Sequence, residues 1–251
     1  MSSSSGLLGC GNVFYAEVDN EGVKGSWLRF GNATKFEIKE NTKLEERSSR
    51  GCDNYGAPLD SVVIREASDV AVSLDEINRK NLATAFLGTS EAVTIASGSE
   101  AGEVHVVTDV EGLVKLSKGN ITNVVVTVSS VAMVLGDDYT IEDAGNGIIG
   151  VVEGGSIVVG TTLSVAYDYA ASSYDKVVGG TDANKRIALM LIGKNMANGK
   201  GMTVIIHKTT VSPTSSVDFL SDTFTTIDLS GKANLDTSGQ TYEVTYNSAT
   251  T

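Results

Sequence analysis

Val70-Ala-Val-Ser-Leu-Asp-Glu-Ile-Asn-Arg-Lys-Asn-Leu-Ala-Thr-Ala-Phe-Leu-Gly88 sets the architecture of this chain. Its first part alternates with period two: Val70, Val72 and Leu74 share the inward face of a strand, with Asp69 and Ser73 outward. After Asp75 the period changes. Asn78 is a good N-cap, Ile77 and Leu82 occupy the N′ and N4 positions of a hydrophobic staple, and Gly88 suits a left-handed C′ residue. The spacing predicts a short helix whose apolar residues Leu82, Ala85 and Phe86 lie on one face, flat across a sheet.

Upstream, Phe36, Ile38 and Leu44 share one parity, while Lys35, Glu37, Lys39, Lys43, Glu45 and Arg47 hold the other, so one face reads as core and the other as charged. Residues 47–59 break this pattern with Ser, Gly, Asn and Pro and are expected to form a long loop, which in compact domains is functional or disordered. Residues 61–74 resume the alternation as one strand, with Ile64 inward and Arg65 outward. The first eleven residues, rich in Ser and Gly, read as a flexible arm. Residues 13–19 read as a strand, 20–25 as a turn and 27–30 as the return.

Downstream, short strands are expected at 92–96, 104–108, 123–129, 133–135, 139–142, 148–152 and 162–169. The regular rhythm of residues 112–171 suggests a small β-sandwich module inserted into a discontinuous domain of residues 1–111 and 172–251. Further strands are expected at 187–192, 202–210, 223–229 and 242–246. The fold class is therefore mainly β, with one short helix.

Composition agrees. The chain has 251 residues, only two prolines and 27 glycines, and 41% apolar residues, which fits β structure with glycine-rich turns. No apolar run approaches a membrane span of about 20 residues, and Met-Ser-Ser-Ser-Ser-Gly lacks a basic signal-peptide start, so synthesis and retention in a cytosol are expected. Cys10 and Cys52 are expected as free thiols. A formal charge of −12 and pI near 4.6 exclude general electrostatic affinity for nucleic acid.

Catalytic signals are weak. Gly145-Asn-Gly-Ile-Ile-Gly150 matches the dinucleotide fingerprint formally, but Val-Val-Glu-Gly-Gly follows it instead of a helix, so a turn is expected. Asp137, Asp138 and Asp143 lack the calcium-loop pattern. His105 and His207 have no Cys or His at ligand spacing. No nucleophile elbow, HExxH or P-loop is present, and neither an enzyme, a cofactor nor a metal is expected.

The strand-helix segment, Phe30-Gly-Asn-Ala-Thr-Lys-Phe-Glu-Ile38, the loop after Arg47, and Asp222-Thr-Phe-Thr-Thr-Ile-Asp-Leu-Ser-Gly-Lys-Ala233 occur in an order that resembles phage tail tube proteins, the major tail proteins of long-tailed, siphovirus-like phages. Gly136-Asp-Asp-Tyr-Thr-Ile141, Gly147-Ile-Ile149 and Leu163-Ser-Val-Ala-Tyr-Asp-Tyr169 look like the immunoglobulin-like insertions of phage structural proteins. The resemblance implies hexameric rings whose strands complete a β-barrel and stack into a tube. It implies as partners the chain itself, the tape measure protein, tail terminator and distal tail proteins, and phage DNA passing without sequence recognition. The location implied is the virion tail after synthesis in the host cytoplasm, with no membrane binding. Lys35, Glu37, Lys39, Glu45, Arg65 and Asp69, on the charged parity, would then face the lumen. Arg47, Ser48, Arg50, Asp53, Asn54 and Tyr55 would reach the neighbouring ring. A secreted or surface β-sandwich binding module, and the tube of a contractile injection machine, are the alternatives.

Overall fold

The computed structural model describes residues 6–246. The protein is mainly β, with one short helix and several antiparallel sheets, none of which closes into a barrel among the described residues. In chain order the elements are β1 (Gly9–Glu17), β2 (Leu28–Arg29), β3 (Ala33–Lys39), β4 (Thr42–Ser48), β5 (Pro58–Arg65), β6 (Asp69–Leu74), α1 (Arg79–Ala85), β7 (Thr89–Ile95), β8 (Gly98–Val106), β9 (Leu113–Lys115), β10 (Ile121–Val128), β11 (Val131–Ala132), β12 (Tyr139–Asp143), β13 (Ile148–Val151), β14 (Thr162–Tyr169), β15 (Ser172–Val178), β16 (Arg186–Asn195), β17 (Gly201–Pro213), β18 (Ile227–Ala233) and β19 (Tyr242–Tyr246). Two compact units result: one runs to Glu91 and resumes at Val177, the other is Ala92–Lys176.

The first unit is built on a sheet of order β2-β1-β16-β17-β18-β6-β3, with β19 paired to the first half of β17. Alternation sends Val13 and Tyr15, Ile187 and Leu189, Val70, Val72 and Leu74, and Ile227 and Leu229 to one buried face. On β17 the inward residues switch from Met202, Val204 and Ile206 to Thr209 and Val211. A register shift opposite Ile187 and Leu189 accommodates the switch, since an extra residue keeps both halves facing the core.

Strand β1 starts at Gly9, so residues expected in a flexible arm belong to the sheet; residues 1–5 of that arm lie outside the described residues. Glycine is what permits the pairing. A Cβ on Gly11 would lie 2.6 Å from the Ile192 carbonyl oxygen, and one on Gly193 would lie 2.1 Å from that of Cys10. The expected strand at 223–229 begins later, at Ile227, which leaves Phe224 in a loop.

Helix α1 packs on β17 and β18. Asn78 caps it, its side-chain oxygen accepting from Lys80 N and Asn81 N at 3.0 Å each. The C-terminus differs from the expectation. Leu87, at φ +47°, is the left-handed residue, while Leu87 N donates to Thr84 O and Gly88 N to Ala83 O, the paired bonds of a Schellman motif. Glycine at position 88 answers a different need: a Cβ there would lie 2.0 Å from Val178 O. The buried face also differs, since Asn81, Ala83, Thr84 and Ala85 are buried while Leu82 and Phe86 are half-buried. Asn81 is tolerated inside because its amide donates to Phe30 O and Glu76 O, both at 3.0 Å.

The second unit places a sheet of order β11-β10-β14-β8 and a sheet of order β12-β13-β9 around one core, with Val126, Leu163 and Val165 from the first and Tyr139, Ile149 and Val151 from the second. Its limits are Ala92 and Lys176 rather than 112 and 171, because β8 pairs along β14 and is part of this core. The chain enters through β7 and leaves through β15, which pair with each other. Gly145–Gly150 spans the turn between β12 and β13, where Gly147 has φ +67°.

Candidate assembly surface

The segment from Ala33 to Leu74 is one bent hairpin. Its base, β3 with β6, is the edge of the large sheet, and its outer part, β4 with β5, pairs with nothing else among the described residues, from Thr42 opposite Arg65 to Ser48 opposite Pro58. Glu40-Asn41 on one side and Glu66-Ala67-Ser68 on the other interrupt the strands, so neither expected continuous strand persists. Beyond this break every residue of β4 and β5 is exposed. A lone two-stranded ribbon is marginal in water, so its order depends on its root and on whatever covers it.

The root is a polar knot. Asn41 Nδ2 donates to Ala67 O at 3.0 Å and to Asp69 Oδ2 at 2.8 Å, and Glu66 N donates to Asn41 O at 3.0 Å. Glu40 receives the hydroxyls of Ser68, at 2.9 Å, and of Tyr242, together with Arg65 Nη2 at 3.4 Å. The bonds from Tyr242 and then Ser68 hold the Glu40 carboxyl below the usual carboxylate range. Asp69 is lowered in the same way by Lys232 and then Asn41.

Register assigns the two faces of the ribbon. Thr42 and Arg65, Leu44 and Val63, Glu46 and Ser61 share one; Lys43 and Ile64, Glu45 and Val62, Arg47 and Asp60 share the other. Glu45 and Arg65, expected together in a lumen, thus point from opposite faces. Leu44 and Ile64, expected in the core, are 53% and 47% exposed, because the break carries them off the sheet. Strand β4 is charged, with Lys43 and Glu45 2.5 Å apart, whereas β5 presents Leu59, Val62, Val63 and Ile64.

The tip is shorter and better ordered than a loop of residues 47–59. Arg47 and Ser48 belong to β4, with Arg47 held on Asp60 at 2.8 Å. Loop 49–57 closes through Ser49 N to Ala57 O at 2.8 Å and Ser49 Oγ to Asn54 Oδ1 at 2.6 Å. Arg50 Nη1 donates to the Tyr55 hydroxyl at 2.8 Å and its guanidinium lies 5.7 Å from the ring centroid, leaving both exposed with Asp53 and Asn54.

Lys35, Glu37, Lys39 and Asp69 do share a surface, the outward face of the large sheet. Pairing aligns Lys39 with Asp69, Lys232 and Thr210; Glu37 with Ala71, Ser230 and Ser212; and Lys35 with Ser73 and Asp228. Lys35 and Glu37 form an ion pair at 2.6 Å. The face is polar, of mixed sign, and opposite the apolar core. The exposed apolar residues of β5 did carry a signal: Val62-Val63-Ile64 are consecutive, which breaks strict alternation and puts apolar side chains on both faces of the strand.

A family described as "Protein of unknown function UCP028589" matches residues 7–244. The chain belongs to that family. The matched span takes in the second unit and most of the first, including the ribbon and the polar sheet face. No curated protein matches the chain. Among the described residues no group of three or more His, Cys, Asp or Glu could hold a metal ion, and no helix is long and apolar enough to cross a membrane. Asp138 and Asp143 instead close turns, accepting Val134 N at 2.7 Å and Asn146 N at 2.9 Å.

Proposed function

We propose that this protein is a structural subunit that polymerises as stacked rings, in the manner of a phage tail tube. The observation that carries this is the β4–β5 ribbon: an ordered arm, exposed on both faces, with one strand apolar. Such a surface is a liability on a monomer and an asset on a subunit whose neighbour covers it. Two further features support it. Among the described residues the large sheet is open at β3 and along most of β1, where β2 covers only Phe14 and Tyr15, so edge pairing between neighbours would join sheets into a ring. The outward polar face would then line a wet channel, with Lys35, Glu37, Lys39 and Asp69 in its wall.

In this role the chemistry is mechanical. The channel would enclose a tape measure protein and later pass DNA, with terminator and distal tail proteins at the ends; mixed charges and a net acidic chain would keep DNA from adhering. The second unit would be an immunoglobulin-like decoration of the tube in this scheme. Electron microscopy of the purified protein tests the proposal: hollow tubes or ring stacks are expected, and discrete particles at every concentration and salt would reject it.

A further inference from the structure

Loop 214–226, between β17 and β18, holds out Phe219, Leu220 and Phe224, the last two 93% and 98% exposed. The loop is braced. Val217 packs against the core at its root, and Ser215 Oγ accepts from Asp228 N at 2.9 Å. Asp218 Oδ1 accepts from Leu220 N at 2.9 Å, Thr225 Oγ1 donates to Asp218 O at 2.9 Å, and Ser221 Oγ accepts from Thr223 N at 3.1 Å. The Phe219 ring leans on Phe86, centroids 6.2 Å apart. A preordered apolar surface loses little entropy when covered, which is how binding surfaces differ from accidental exposure.

Its place in the fold names the cover. Strand β18 begins at Ile227, opposite Leu74, and reaches Lys232, opposite Asp69. The loop leaves at the Leu74 end of β6, while the β4–β5 ribbon leaves at the Asp69 end. The two roots are about 20 Å apart, the length of that strand. Copies stacked along the strand direction therefore bring the ribbon of one to the loop of the next. With about 150–250 Å² for a buried aromatic side chain, the loop offers on the order of 500 Å², and Val62 and Ile64, the apolar pair on one face of the ribbon, offer less. The total is well below the ~1,600 Å² of a stable pairwise complex, so a single contact is weak and a ring of them is firm.

We propose that loop 214–226 is the seat for strand β5 of a second copy, with Phe219, Leu220 and Phe224 closing over Val62 and Ile64, which share one face of the ribbon. This rests on the stacked-ring function proposed above and names the surface that the ribbon meets. The contact joins unlike surfaces, so it repeats from copy to copy.

The test uses the full chain carrying Cys10→Ser and Cys52→Ser, with Val62→Cys in one preparation and Leu220→Cys in another. Mild oxidation of the mixture is expected to give at least ten times more covalent dimer than either preparation alone. Leu220→Ser with Phe224→Ser, both at exposed positions, should cut the assembled fraction at least tenfold with an unchanged circular dichroism spectrum. Normal tubes from that double variant would overturn the assignment. So would a Leu220→Cys preparation that links to itself better than to its partner, which would mean a contact of like surfaces. If the parent chain forms no tubes, the functional proposal fails, and absence of the mixed dimer would then overturn this inference separately.

Discussion

The Tyr242 hydroxyl donates to the Glu40 carboxylate, tying β19 to the break from which the ribbon emerges. Glu40 is lowered chiefly by this bond, so its contribution is full above the ordinary glutamate range and is lost as pH falls through the lowered value. Tyr242 is raised, first by Glu40 and then by burial, so its contribution is full below the ordinary tyrosine range and is lost as pH rises through the raised value. The root should be firmest between these limits. Nuclear magnetic resonance signals of Ser68 should shift at both extremes, and Glu40→Gln should abolish its acid step, whereas the acid shift of Asn41, whose amide bonds Asp69, should persist. An unchanged acid step of Ser68 in that variant would assign it elsewhere.

At the helix, two substitutions should separate capping from close approach. Asn78→Ala is expected to cost about 1 kcal/mol through loss of the N-cap. Gly88→Ala is expected to cost about 1–3 kcal/mol, because the added carbon would lie 2.0 Å from Val178 O and the backbone must move. Urea unfolding should rank Gly88→Ala the less stable; equal midpoints would show that the β15 end yields easily.

The outward sheet face can be probed at Ser230, aligned with Ala71 and Glu37. With Cys10 and Cys52 replaced by Ser, Ser230→Cys should react with both small and polymer-linked maleimides as a free subunit. In assembled tubes the small reagent should still react and the bulky one should fail. Full reaction with the bulky reagent would place this face outside the wall.

The pairing of β7 with β15 puts the entry and exit of the second unit side by side. Replacing residues 96–171 with a short Asn-Gly turn should therefore leave the first unit folded and able to assemble. A folded but non-assembling variant would show that the second unit supplies a contact between copies.

Much of this was legible in local chemistry. Asn78 announced the helix start, and the parity of Val70, Val72 and Leu74 marked the core face, since both follow from short-range geometry. Gly11 and Gly88 were misread because their role is close approach to segments distant in sequence, Ile192 and Val178. The break at Glu40-Asn41 was hidden since its partners, Ser68 and Tyr242, are likewise remote. Phe224 did carry a usable signal: it is out of phase with Ile227 and Leu229, so a strand reaching back to residue 223 would have turned it away from the core.

The placement of ribbon and loop at opposite ends of β6 makes the subunit, in a polymer chemist's terms, a bifunctional monomer of the A–B type. Growth by such monomers sets no length of its own; the mean length follows from conversion and from the supply of monofunctional stoppers. A ring whose copies mostly carry a blunted loop but an intact ribbon would be one, consuming a growing end without renewing it. A single such copy leaves its ring's other contacts in place, so tubes should shorten only once blunted copies are common.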